Sequence, residues 1–87
     1  MRVVKVGMDG CTPCKLMGYI LTQTINKHPE LNIQVEEYNL SNVQLPSDFP
    51  VRVTSVPTIL IYRETEPIVV VGMKTLSVFE KLMLDGE

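Results

Sequence analysis

Near its N-terminus the chain changes hydrophobic period at a single point, and that switch limits what it can fold into more than any other feature. Arg2 to Met8 is rich in β-branched residues, with Val4 and Val6 on one face and Val3 and Lys5 on the other, which is the pattern of a strand. Asp9-Gly10 supplies a turn. Pro13 suits the first turn of a helix, and from Cys11 onward Leu16, Met17, Ile20, Leu21 and Ile25 recur at helical spacing to about Lys27. Asn26-Lys27-His28-Pro29 then stops the helix, with cationic groups at its carbonyl end and a proline that cannot continue the ladder. Leu31 to Asn39 carries Ile33, Val35 and Tyr38 and reads as a second strand. A strand, a helix and a strand in this order predict a right-handed βαβ unit.

Ser41 to Val53 contains Pro46, Ser47, Asp48 and Pro50, so the spacing allows only a short helix there. Thr58 to Tyr62 and Ile68 to Val71 are strands joined by Arg63-Glu64-Thr65-Glu66-Pro67, a connection short enough for an antiparallel hairpin. Gly72 precedes a final helix, Thr75 to Leu84, in which Leu76, Val78, Phe79, Leu82 and Met83 make a broad apolar face. The predicted order is β, α, β, short α, β, β, α. This is an α/β fold with helices flanking four strands, and residues 1–87 form a single domain because 87 residues support only one core.

Composition narrows the function. Eight basic residues against ten acidic ones give a net charge of -2, and the bases are scattered, so nucleic acid is not an expected partner. No apolar run is longer than Ile68–Val71, far short of the roughly 18 residues of a membrane span, so no membrane partner is expected either. Met1 to Val6 reads directly as a strand and not as a secretory leader, which places the expected compartment in the cytosol. Two cysteines cannot build a multi-bridge secreted scaffold, and a reducing compartment would not keep a purely structural bridge closed. Their role is therefore expected to be chemical.

Cys11-Thr12-Pro13-Cys14 stands where the strand gives way to the helix, the context that makes a CxxC a redox candidate. A helix start offers unpaired N–H groups and the positive end of the macrodipole, both of which favour an anion. A thiolate at Cys11 is stabilised there, so its pKa is expected to be lowered. Cys11 at the rim is the expected nucleophile, and Cys14, one turn inward on the same helical face, is the expected resolving thiol. Pro13 stiffens the geometry between them. The competing reading is half of a zinc site, but zinc needs four ligands and the chain adds only His28. That histidine reads as a helix C-terminal cap, so no metal ligand is assigned.

A second motif, Thr54-Ser55-Val56-Pro57-Thr58, puts a proline at the opening of an apolar strand. The simple reading is a tolerated strand-start proline. The functional one is a cis Val56-Pro57 bond that turns the Val56 backbone outward to pair with an extended peptide.

Together, Cys11-Thr12-Pro13-Cys14 after the first strand and Ser55-Val56-Pro57-Thr58 before the third resemble the thioredoxin family over nearly the whole chain. The resemblance implies a minimal thioredoxin-like fold, a dithiol that reduces protein disulfides, and a cis Pro57 packed beside the cysteines. No bound cofactor is implied beyond the redox-active Cys11-Cys14 disulfide. Val69-Val70-Val71-Gly72-Met73 is similar to the family's last strand and glycine turn, which makes Val71, Gly72 and Met73 candidate docking residues beside Thr12, Pro13, Val56 and Pro57. Expected partners are disulfide-containing proteins and an NADPH-dependent reductase of the thioredoxin-reductase kind, with glutathione as the alternative donor; a monomer is the default. Glutaredoxins share the size, but Gly72-Met73-Lys74 does not match their double glycine followed by an acid.

Three positions depart from the family pattern. Gly10 replaces a tryptophan and removes an apolar docking surface. Thr12 replaces a glycine. Lys5, six residues before Cys11, takes the place of a buried acid. A lysine beneath Cys14 would favour thiolates and tune their pKa, with Glu36 or Glu37 as its expected partner; the alternative is a side chain that snorkels to water. Other functions compatible with the same residues are a non-catalytic module that binds an extended peptide, with the cysteines vestigial, and a redox sensor that closes a bridge on oxidation.

Overall fold

β1 (Arg2–Gly7) lies inside a four-stranded sheet in the computed structural model, which describes residues 1–86. The strand order is β2-β1-β3-β4, with β2 spanning Gln34–Asn39, β3 Thr58–Tyr62 and β4 Ile68–Val71. β1 runs parallel to β2 and antiparallel to β3, and β3 and β4 form the antiparallel hairpin. A parallel pair needs a long crossover, and α1 (Thr12–Lys27) supplies it. The last element is α2 (Leu76–Asp85), N-capped by the Thr75 hydroxyl, which accepts from the Val78 N–H at 3.3 Å.

The side-chain period of two decides which layer each strand residue joins. Val3 pairs with Ile61 and Lys5 with Ile59, which pairs in turn with Val70. Val3, Ile59, Ile61 and Val70 share one buried cluster with Met17 and Leu21 of α1 and Phe79 and Met83 of α2. Both helices therefore pack on one face of the sheet. Val4, Val6 and Leu60 on the opposite face are equally buried, beneath the connection between β2 and β3. There Phe49 packs edge-on against Tyr38 with ring centroids 5.8 Å apart.

Two expectations are corrected. No short helix forms in Ser41–Val53, and the segment is turns, bends and irregular chain. Pro46 and Pro50 each lack an N–H, and the residue before each is pushed out of the helical region, so the second face of the sheet is covered by irregular chain where a flanking helix was expected. The second strand begins at Gln34 and not at Leu31, because Pro29–Leu31 closes a 3-10 turn that ends at Asn32 in the left-handed region (φ 50°). Asparagine tolerates that conformation better than most residues.

Candidate functional site

Cys11 is the N-cap of α1. Its backbone is extended (φ -92°, ψ 102°) while its carbonyl already accepts from the Lys15 N–H at 3.2 Å. Its Sγ accepts from the backbone N–H of Cys14 at 3.1 Å, so sulfur does here what a serine or aspartate oxygen does at an ordinary cap. Pro13 sits in the first turn, where its missing N–H is no loss. Cys11 and Cys14 are joined in a disulfide, with Cα atoms 5.2 Å apart. Cys14 is only 4% exposed, whereas Cys11 is half-buried at the rim. Cys11 thus sits at the rim of the helix start, and Cys14 lies behind it against Gly7.

The strand behind the disulfide makes room for it. A side-chain carbon on Gly7 would stand 3.4 Å from the Cβ and Sγ of Cys14, so the end of β1 lies against the first turn of α1. The turn that follows is tied to the end of β2. The Asp9 N–H donates to the Ser41 hydroxyl at 2.9 Å, the Asn39 amide donates to the Asp9 carboxylate at 2.8 Å, and the Ser41 N–H donates to the Asn39 side chain at 2.9 Å. This network fixes the loop that delivers Cys11. Between the loop, β1 and β2 lies a cleft of about 370 Å³ that reaches both cysteines. Sequence reasoning missed Gly7, Asn39 and Ser41; the one available signal was a glycine closing the strand just ahead of the cysteines.

Lys5 lies on the helix-bearing face, in register with Glu37 of β2. Glu36 points to the other face, where it is bidentate with Arg2 (2.6 and 3.3 Å), and that bond holds its carboxyl below the usual range. The expected ion pair does not form, since the Lys5 side chain makes none among the described residues. Parallel register explains why Glu36 was never available: it stands opposite Val4, one residue out of phase with Lys5.

The Val56–Pro57 peptide is cis and Pro57 is buried. The Pro57 carbonyl accepts from the Gly72 N–H at 2.9 Å, which joins the two candidate docking segments. Gly72 has φ +80°, a conformation glycine adopts at no steric cost. The Lys74 N–H then donates to Met17 Sδ at 3.3 Å, seating this turn on α1 one turn past Cys14. Val71 and Met73 are 48% and 49% exposed, Thr12 and Pro13 are exposed, and Val56 is half-buried. Met8, 46% exposed just ahead of the cysteines, adds apolar surface.

Among the described residues, no group of three or more His, Cys, Asp or Glu side chains is placed to hold a metal. No helix there is long and apolar enough to cross a membrane. His28 is the C-cap of α1, as its position implied, and also bridges to α2 through Glu80.

No protein-family model matches the sequence, and no curated protein matches it. Solved structures do. The chain superimposes on oxidised mitochondrial thioredoxin 3 from Saccharomyces cerevisiae with a TM-score of 0.72 and 22% identity, covering 97% of this chain and 76% of that one. The fold is therefore the thioredoxin fold, in a minimal version with two α-helices and four strands among the described residues.

Proposed function

We propose that this protein is a thiol-disulfide oxidoreductase that reduces disulfides in other proteins. The observation that carries the reading is the placement of the Cys11–Cys14 disulfide at the start of α1, with Cys11 at the rim as N-cap and Cys14 buried behind it. In the reduced state, the Cys14 N–H and the helix dipole stabilise a thiolate on Cys11. That thiolate attacks a substrate disulfide, forming a mixed disulfide and expelling one substrate thiolate. Cys14 then gives up its proton and attacks Cys11 Sγ; the second substrate thiolate leaves and the bridge closes. The balance is one dithiol oxidised and one substrate disulfide reduced.

Thr12, Pro13, Val56, Pro57, Val71, Gly72 and Met73 would receive the substrate chain, whose extended backbone pairs beside Val56. Exposed Val71 and Met73 suit an apolar substrate side chain. A monomer in a reducing compartment such as the cytosol fits this role, recharged by an NADPH-dependent flavoprotein reductase or by glutathione. Equilibration across glutathione redox ratios, followed by alkylation of free thiols and mass measurement, tests the couple. A reversible two-electron transition between Cys11 and Cys14 is expected. Absence of any intramolecular bridge would sink the reading in favour of a binding module. Turnover with thioredoxin reductase and NADPH, set against turnover with glutathione and its reductase, then identifies the donor.

A further inference from the structure

β1 and α1 pack row against row. Gly7 lies against Cys14, and two residues earlier on the same face Lys5 reaches Gly18, one helical turn beyond Cys14. A side-chain carbon on Gly18 would stand 3.5 Å from Lys5 Nζ, with no other atom within 4 Å outside its chain neighbours and the local helix backbone. A mid-helix glycine costs about 1 kcal/mol relative to alanine, and here the space it leaves is taken by an ammonium group. Lys5 and Cys14 also line the same cleft, with Asp9 and Lys15 at its edge and Glu37 on β2. Lys15 and Glu37 are exposed, so solvent screens them. Lys5 is half-buried and its ammonium carries no ion pair among the described residues. Its unpaired charge stands in the cleft that Cys14 also lines.

We propose that Lys5 is a positioning residue for the resolving step, its ammonium held in the space left by Gly18 so that the thiolate of Cys14 is stabilised. The inference rests on Cys14 being the resolving thiol. Cys14 is buried, and burial alone disfavours its thiolate; a cation one turn away offsets that cost, and the proton leaves to water through the cleft. The step itself is unchanged: Cys14 S⁻ bonds to Cys11 Sγ, the Cys11–substrate S–S bond breaks, and the electron pair departs on the substrate sulfur.

The test follows the ionisation of Cys14 by thiolate ultraviolet absorbance in a Cys11→Ser background, with Lys5 intact, Lys5→Met or Lys5→Arg. Lys5→Met is expected to raise the midpoint by about one pH unit, a roughly tenfold loss of thiolate below it, and Lys5→Arg to recover most of the loss. Should Lys5→Met fail to fold, Gly18→Leu decides, because it keeps the lysine but displaces its ammonium, and the same upward shift is expected. An unchanged midpoint overturns the inference while leaving bridge formation intact. Failure of the unmodified protein to form the bridge in glutathione buffer overturns instead the oxidoreductase reading on which it rests.

Discussion

Gly7 and Cys14 are packed so closely that a single added carbon on the glycine would already touch the cysteine sulfur, at 3.4 Å. The end of a strand and the first turn of a helix are thereby in side-by-side contact. Gly7→Ala is expected to be accepted at ordinary contact distance. Gly7→Val adds two more carbons against a buried sulfur and is expected to cost about 1–3 kcal/mol by overpacking. Urea unfolding of the oxidised protein measures it, and equal midpoints for Gly7→Val and the parent would show that the packing is looser than described.

The two sulfurs differ in exposure, and that difference predicts different adducts. Cys14→Ser leaves the rim thiol able to attack but removes the group that releases it, so a mixed disulfide with an added disulfide-containing protein should accumulate and be visible by mass. Cys11→Ser should trap little, because Cys14 is 4% exposed. Equal trapping by the two variants would reverse the assignment of nucleophile and resolver.

Strands and helices were legible where one periodicity ran without interruption. Thr58–Tyr62 and Ile68–Val71 have the expected bounds because polar or proline-bearing segments flank them, and the cysteines were legible because a turn and a proline mark the helix start. The stretch from Ser41 to Val53 was not, because two prolines and a helix-initiating Ser-Asp pair point in opposite directions, and in the structure the prolines prevail. The Lys5 environment was half legible. Strand alternation puts Lys5 on the helix-bearing face, but the register that sets it opposite Glu37 and not Glu36 depends on where β2 starts, which Asn32 fixes through its left-handed backbone. Gly18 gave no signal of its own, since its reason lies in the head of a side chain from another element.

Covering one face with helices and the other with irregular chain predicts unequal stability across the sheet. Phe79 is fully buried in the cluster joining α1, α2 and three strands, and Phe79→Ala is expected to cost about 3–5 kcal/mol. Phe49 is half-buried and packs edge-on against Tyr38, so Phe49→Ala should cost about 1–2 kcal/mol, near the centre of ordinary substitutions. Hydrogen exchange should likewise find the 40–57 segment opening before β1 and β3. Equal losses on denaturant unfolding would mean that the proline-rich segment holds its face as firmly as the helices hold theirs.

The clasp between the helices titrates. His28 Nε2 lies 2.8 Å from Glu80 Oε2, with Glu30 3.3 Å from Nδ1, and Lys27 reaches the other Glu80 oxygen at 3.1 Å. The hydrogen bond to Glu80 is the main reason the histidine holds its proton above its ordinary value of 6.5, and the same bond, with Lys27, holds the Glu80 carboxyl below 4.5. A raised histidine contributes stability that is fully present below its unfolded value and is lost as pH rises through its folded value. A depressed carboxylate contributes stability that is present above its unfolded value and is lost as pH falls through its folded value. Both contributions therefore coincide between about pH 4.5 and 6.5. His28→Gln should flatten the fall in stability on the alkaline side of that window and lower the maximum within it. Glu80→Gln should do the same and also remove the Glu80-dependent part of the acid limb. Thermal unfolding at a series of pH values measures both; parallel curves for His28→Gln and the parent would show that the clasp is not a charged pair in the folded protein.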